Sequence, residues 1–420
     1  MNALQMDVMD MNANVKNRNK QRVVITGMGI VSCLGSDVST FFSNLLKAES
    51  GIRRNGSLGN YSVGKVEFEP RLHFSRSELM ILDRVSQFAV VASRQAVESA
   101  GLELTDSIRE GAFYGTGFGG AATLDDSYGH YFGIRRCGRA LTIPMTMVHA
   151  PVAQVAIHLG IHGEAQTYST ACSSLAVAVG EGFRRIRDGY LDVAVTGGTE
   201  AMLLDSVLGE WSKLRVLAKE VGEPSTGCRP FAKGRNGFHL SEGAATLVLE
   251  SYDHARERGA KVLGEVVGYG VSNDGTHITK PDAGWQAVAI RSALEDGQVT
   301  PGEVDYINAH GTSTVTGDKS EADSIRMVFG ERGRQIKVSA TKSAHGHAIG
   351  ATGAMELIVT VMAMNEKIIP PTPFIDEIDD ACDVNLVMGN AVRMPKIRYA
   401  ISNSFGFGGN NAVLLLKGKQ

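Results

Sequence analysis

Tyr168-Ser-Thr-Ala-Cys172-Ser-Ser174 is the stretch around which this chain is organised. Downstream of it, Leu175, Val179, Phe183 and Ile186 recur at spacings of four, four and three, the stripe of a buried amphipathic helix. Immediately before the cysteine only small hydroxyl and methyl side chains occur: Ser169, Thr170 and Ala171. The pattern predicts a cysteine at or beside a helix N-terminus, where unpaired backbone N–H groups point outward. Those groups and the helix dipole favour thiolate over thiol, which predicts a lowered pKa. They could also hold the oxyanion formed when a thiolate attacks a thioester carbonyl. A free cysteine among small residues is equally readable as packing, so the rest of the chain has to decide.

The 420 residues are enough for a large core, either two or three domains or one large duplicated unit. With 43% hydrophobic and 21% charged residues the balance is that of an ordinary globular protein. A net charge of −3 argues against nucleic-acid binding, which needs a basic excess. Cys33, Cys137, Cys172, Cys228 and Cys382 form no CxxC, so neither a disulfide framework nor a zinc site is indicated, and a reducing cytoplasm is expected. Residues 1–20 are polar and Asn-rich, which predicts a disordered tail and not a signal peptide. No run reaches about 18 apolar residues, so no membrane span is expected.

Arg22-Val-Val-Ile-Thr-Gly-Met-Gly29 reads as a strand entering a glycine turn. Its GxG lacks a third glycine at the dinucleotide-fingerprint position, since the next is Gly35, and no acidic ribose partner is in view. Residues 40–47 and 83–100 read as helices, while 112–120, 191–198 and 243–250 read as strands, two of them ending in glycine. Arg135, Arg136 and Arg139 form a basic cluster that reads as a solvated face or a docking site. A second half echoes the first: strands at 261–270, 304–310 and 336–340, and helices at 319–329 and 350–365. Strands alternating with helices predict α/β layers with largely parallel sheets, and the echo predicts a duplication sharing one core. The expected division is a tail over 1–20, a nucleophile-bearing half over 21–259, and a half over 260–420 carrying the histidines.

Three strand-end loops carry polar chemistry. They are His310-Gly-Thr-Ser-Thr314, Lys342-Ser-Ala-His-Gly-His347-Ala-Ile-Gly-Ala-Thr-Gly353, and Asn403-Ser-Phe-Gly-Phe-Gly-Gly-Asn-Asn411. One histidine at a strand end is ordinarily structural, but two in Gly- and Thr-rich loops beside a helix-capping cysteine are harder to read that way. A metal held by His345 and His347 has no third ligand nearby in sequence. Together with Thr170-Ala-Cys-Ser-Ser174, these motifs in this order resemble β-ketoacyl-[acyl-carrier-protein] synthases of the elongating, synthase-II type, over residues 22–417. The resemblance implies a thiolase-like five-layered αβαβα fold from two duplicated halves, and usually a homodimer.

Carried onto this sequence, the resemblance implies that Cys172 accepts an acyl group from an acyl carrier protein. The enolate of decarboxylated malonyl-carrier protein then attacks the acyl-enzyme. It implies that His310 and His347 stabilise the enolate oxygen, and that backbone N–H groups of Cys172 and Phe407 form the other oxyanion hole. Lys342 would order the site through Glu356, Asp318 and Glu321. Thr312 and Thr314 would bind the phosphopantetheine arm, with Phe405 beside the substrate, and the loop Gly406–Gly409 would gate entry. Arg136 and Arg215 match carrier-protein docking positions. No cofactor and no metal are implied. Phe118 and Trp211 stand where smaller or different residues are usual, and His239, Ser241 and Asn410 also depart. These departures point towards a specialised chain, polyunsaturated, polyketide or aryl-polyene, with Phe118 expected to turn inward and fill the acyl pocket. A non-catalytic chain-length-factor partner would lack the cysteine, and a CoA-dependent thiolase would carry a second one in place of the Gly-Phe-Gly-Gly loop. Homodimer and heterodimer both stay open.

Overall fold

The computed structural model describes residues 20–56, 58, 61–136, 138–219 and 222–419. The tail expected over residues 1–20 lies, apart from Lys20, outside the described residues, as does Cys137. Ten strands form the framework: β1 (Val23–Ser32), β2 (Glu110–Gly115), β3 (Ala165–Tyr168), β4 (Val193–Glu200), β5 (Gly243–Ser251), β6 (Gly264–Asn273), β7 (Val304–Asn308), β8 (Lys337–Ser339), β9 (Tyr399–Phe405) and β10 (Asn410–Gly418). They group as β1-β5-β4-β2-β3 and β6-β10-β9-β7-β8. Within each five the pairing runs antiparallel, antiparallel, parallel, parallel, so the sheets are mixed and not largely parallel as the sequence predicts. Residues Val23–Ile25 of β1 pair with Gly264–Val266 of β6 and join the two sheets. The same pattern occurring twice is the duplication in physical form.

Helices make the other layers. Those used below are α1 (Arg84–Ala100), α2 (Ala121–Ile134), α3 (Ala150–Leu159), α4 (Ser174–Arg187), α5 (Asp205–Lys213), α6 (Ala283–Asp296), α7 (Val315–Phe329) and α8 (Thr352–Glu366). Helices α1 and α3 cover the outer face of the first sheet, where Val85 and Phe88 of α1 pack on Ala112, Tyr114 and Val195. Helices α6 and α7 cover the second, with Ile290 and Ile325 against Ile307 and Ile401. Between the sheets lie α4 and α8, whose Leu175, Val179, Phe183, Leu357 and Ile358 join β-strand residues Leu247, Leu249, Leu414 and Leu416 in one cluster. The five layers are therefore helix, sheet, helix, sheet, helix, the thiolase-like arrangement expected from the sequence.

The stripe behind Cys172 accounts for the central layer: Leu175, Val179 and Ile186 are fully buried and Phe183 nearly so. Helix α8 is apolar almost all round, as a helix enclosed between two sheets must be. Sequence periodicity did not mark α2, α3, α5 or α6. Helix α2 has a single buried side chain, Ala121, so it carries no apolar stripe facing a core. Among the described residues, no helix is long and apolar enough to cross a membrane. Leu175→Ala would open a cavity in the middle layer and is expected to lower stability by about 2–5 kcal/mol, measured as a shift in the urea unfolding midpoint.

Candidate active site

Cys172 lies in a 3-10 turn, Ala171–Ser173, that runs directly into α4. Ala171 has φ 53, left-handed for a residue with a Cβ, at a cost of about 1–3 kcal/mol. Around this bend, Ser173 Oγ donates to the Thr170 carbonyl at 2.8 Å and Ser174 Oγ to the Ala171 carbonyl at 2.6 Å, while Ser174 Oγ accepts from Thr170 N at 2.9 Å. The run of small hydroxyl residues is thus the set of braces that holds the bend.

His347 Nε2 lies 3.1 Å from Cys172 Sγ. Its other ring nitrogen, Nδ1, lies 2.9 Å from Thr352 Oγ1. The rings of His347 and His310 meet edge to face at 5.7 Å. Lys342, fully buried, donates to His310 Nδ1 at 3.4 Å, to Glu356 Oε1 at 2.6 Å, and to the His310 carbonyl. An ammonium has no lone pair, so His310 Nδ1 must accept and the neutral ring carries its proton on Nε2. Burial, then the Lys342 charge, push both imidazoles well below the usual histidine range, so both are neutral at physiological pH. Burial pushes the Glu356 carboxyl up to about 7, against the attraction of Lys342.

The acidic residues divide their labour differently from the single network expected around Lys342. Glu321 accepts from the backbone N–H groups of His310 and Gly311, both at 2.8 Å, and from Asn403 Nδ2 at 3.0 Å. Asp318 makes its hydrogen bonds elsewhere: it accepts from Phe231 N at 2.7 Å and Ser313 N at 3.0 Å, and pairs with buried Arg235 at 3.3 Å. Arg235 and Asp379, which pairs with it at 2.6 Å, were missed because they lie far from Asp318 in sequence. His345 turns away from the cysteine to Thr341 Oγ1, 2.9 Å from its Nε2. Instead, Cys172, His310 and His347 bring one possible ligand atom each within 4.8 Å of one another. With its Nδ1 engaged by Lys342, His310 faces this cluster with an N–H and not with a lone pair, which fits a metal poorly.

Two cavities meet at Cys172 and Phe407, which line both. One, of about 90 Å³, is the more polar of the two and includes His310, His347, Thr312, Thr314, Phe405 and Lys280. Thr312 Oγ1 and Thr314 Oγ1 are 3.0 Å apart, and Thr314 also caps α7. Its wall at 274–281, not marked in the sequence, is tied to the glycine loop by Gly408 N donating to the Ile278 carbonyl at 2.7 Å. The other cavity, of about 630 Å³, is apolar, with Phe118, Trp211, Leu214 and Ile349 in its walls. Trp211 stacks on Phe407 at 5.9 Å and 24°. Phe118 does not turn inward to fill this space: it stands on the wall, 44% exposed. The turn Gly117–Gly119 is anchored through its backbone, which leaves the ring free of the packed interior.

Arg215 is exposed, with φ 57, between Leu214 of the apolar cavity and Val216 of the polar one. Arg136 is exposed beyond the end of α2, and Lys213 is paired with Glu210 at 2.7 Å. At the cysteine the expectation of a lowered pKa is reversed. Burial pushes the thiol up to about 11, outweighing the Lys342 charge and the N–H groups of Phe407 and Cys172 that face the sulfur. A raised pKa leaves only about one thiol in ten thousand ionised at pH 7. Iodoacetamide alkylation of Cys172 should therefore keep accelerating through pH 9 without a plateau; a plateau below pH 7 would show that the helix terminus prevails.

Models of the beta-ketoacyl synthase N-terminal and C-terminal domains match residues 20–255 and 263–376. The chain is 39% identical over 409 residues to 3-oxoacyl-[acyl-carrier-protein] synthase 2 of Staphylococcus aureus strain N315, covering 94% of this chain and 98% of the relative. It is 38% identical over 405 residues to nodulation protein E of Rhizobium meliloti, covering 94% and 99%. Among solved structures, the ishigamide ketosynthase/chain length factor matches with a TM-score of 0.89 at 32% identity, over 96% of this chain and 100% of that one. A type II PKS ketosynthase bound to the hexaketide, in complex with its acyl-carrier protein, matches with a TM-score of 0.88 at 27% identity, over 96% and 100%. The chain belongs to the β-ketoacyl synthase family, the condensing acyltransferases of fatty-acid and related chain elongation.

Proposed function

We propose that Cys172 carries the acyl chain in the apolar cavity while the second substrate enters through the polar one. The observation that carries this reading is the position of Cys172 and Phe407 at the junction of the two cavities. The thiol adds to the thioester carbonyl of an acyl-carrier protein, the oxyanion sits between the N–H groups of Cys172 and Phe407, and the thiol proton ends on the departing phosphopantetheine sulfur. These donors act on the charge as it develops, which offsets the burial that keeps the resting thiol neutral.

Malonyl-carrier protein then loses CO2, and its enolate oxygen is held by Nε2–H of His310 and by His347, with the Thr352 hydroxyl donating to Nδ1 of the latter. The enolate carbon attacks the acyl carbonyl, and the Cys172 sulfur leaves as thiolate and takes a proton from solvent, which restores the thiol. Neutral imidazoles suit this step: the histidines donate hydrogen bonds, and the positive charge stays on Lys342 behind them. Thr312 and Thr314 line the route of the phosphopantetheine arm, and no cofactor enters the cycle. The aromatic faces of Phe118, Trp211 and Phe407 suit a planar, unsaturated chain. With Phe118 on the wall, however, a filled pocket does not limit chain length.

The partner inferred is an acyl carrier protein, whose acidic surface Arg215 meets between the two cavities, with exposed Lys280 in the wall of the polar one. We also infer a homodimer working in the cytoplasm. Strand β3 is an outer edge with half-exposed side chains. Tyr128, Phe132, Ile134, Ile143 and Ile157 form an exposed apolar set in neighbouring segments, which a second copy would cover. The four described cysteines are free thiols, which suits a reducing compartment.

Two measurements test the reading. Cys172→Ala should lose acyl loading and condensation entirely, whereas Cys172→Gln should still decarboxylate malonyl-carrier protein; condensation surviving in Cys172→Ala would remove the mechanism. Arg215→Glu should raise the carrier-protein KM severalfold in a salt-dependent way, with small thioester mimics handled as before. Equal loss with both substrates would make the arginine structural.

A further inference from the structure

Glu200, the last residue of β4, is fully buried, and the mechanism above does not use it. Its carboxylate accepts from Gly117 N at 2.7 Å, Phe118 N at 3.1 Å, Gly350 N at 3.1 Å and Thr116 Oγ1 at 3.3 Å. Among the described residues no lysine or arginine forms an ion pair with it; three backbone N–H groups and one hydroxyl are its partners. Four donors satisfy a carboxylate; a carboxylic acid or amide would turn a hydrogen atom towards donors already in place.

The two segments so joined both line the apolar cavity and lie against each other. Gly117 and Phe118 form one, and Ile349, one residue before Gly350, forms another. Ile349 has φ 38, an unfavourable backbone for a β-branched side chain, and such a conformation persists only where the surroundings impose it. Its side chain is 2% exposed and belongs to the same apolar cluster as Cys172 and Trp211. The walls also touch closely: a Cβ at Gly350 would lie 2.6 Å from Thr116 Cα, so nothing but the carboxylate and the bare backbone fits between them. Burial pushes the Glu200 carboxyl up to about 7, and the hydrogen bonds from Gly117, Phe118, Gly350 and Thr116 oppose that rise without cancelling it.

We propose that Glu200 is the positioning residue of the acyl cavity: its carboxylate clamps the Gly117–Phe118 turn to the strained Ile349–Gly350 turn and so sets the cavity's shape beside Cys172. It acts on the acyl chain and not on the enolate chemistry, because none of its four partners lines the polar cavity. The proposal rests on the assignment of the apolar cavity to the acyl chain.

The test separates the two half-reactions. Glu200→Gln keeps one acceptor oxygen and sets an amide donor against the opposing N–H groups, which should release one wall. Transfer of dodecanoyl from its carrier protein onto Cys172 should lose at least tenfold in kcat/KM, read by intact mass. Malonyl decarboxylation, measured with the same change in a Cys172→Gln background, should stay within threefold. Ile349→Gly, which relaxes the backbone without touching Glu200, should alter the preference between hexanoyl and dodecanoyl groups while leaving decarboxylation in place, and it keeps the test open if Glu200→Gln does not fold. Equal loss in both half-reactions, or no loss in either, with Ile349→Gly unchanged in chain preference, would overturn the clamp. A wild-type protein that neither loads acyl groups nor decarboxylates would instead overturn the proposed function itself.

Discussion

The contact on which the rest of the site depends is Lys342 between Glu356 and His310. A buried ammonium is costly unless paired and fully hydrogen-bonded, and here Glu356 at 2.6 Å and the His310 carbonyl and Nδ1 take its three donors. That arrangement does two things at once. It places one positive charge behind the histidines, where it adds to the burial that keeps both neutral, and it fixes which nitrogen of His310 carries the proton. Glu321 completes the arrangement by gripping the backbone of His310 and Gly311, while the Lys342 contact at Nδ1 orients the ring. The histidines thus face the cysteine as neutral groups on a rigid support, which is what donors to a transient enolate require.

The fold supplies the remaining constraint. Duplication places two equivalent helices, α4 and α8, side by side between the sheets. Each starts on small residues next to a 3-10 turn: Ala171–Ser173 before α4 and Ile349–Ala351 before α8. The nucleophile sits at the first of these turns and a cavity wall at the second, and left-handed residues occur in both, Ala171 and Ile349. The site is therefore built where the two halves meet, and Glu200 reaches one of these turns from the end of a strand.

Much of this was legible in the sequence. The stripe Leu175, Val179, Phe183, Ile186 placed a buried helix behind Cys172, and the strand-end positions of His310 and His347 placed both in loops that follow strands. What was not legible depends on contacts between distant segments. The thiol pKa followed burial, a tertiary property, and not the local helix terminus. Asp318 turned to Arg235, and no local spacing links those two positions. Glu200 was not marked in the sequence because its four partners come from two other loops. Phe118 stands on the cavity wall because its backbone, not its ring, is what the fold holds. Helix α2 went unseen because only Ala121 on it is buried, so it had no period to read.

The account stands most directly on the state of the two imidazoles. In protein labelled with 15N-histidine and assigned with His310→Ala and His347→Ala, NMR at pH 6 should show both rings neutral, with the His310 proton on Nε2. Two neutral rings with that tautomer are the result predicted. An imidazolium at either position, or a proton on His310 Nδ1, would contradict the placement of Lys342 as the group that sets the site.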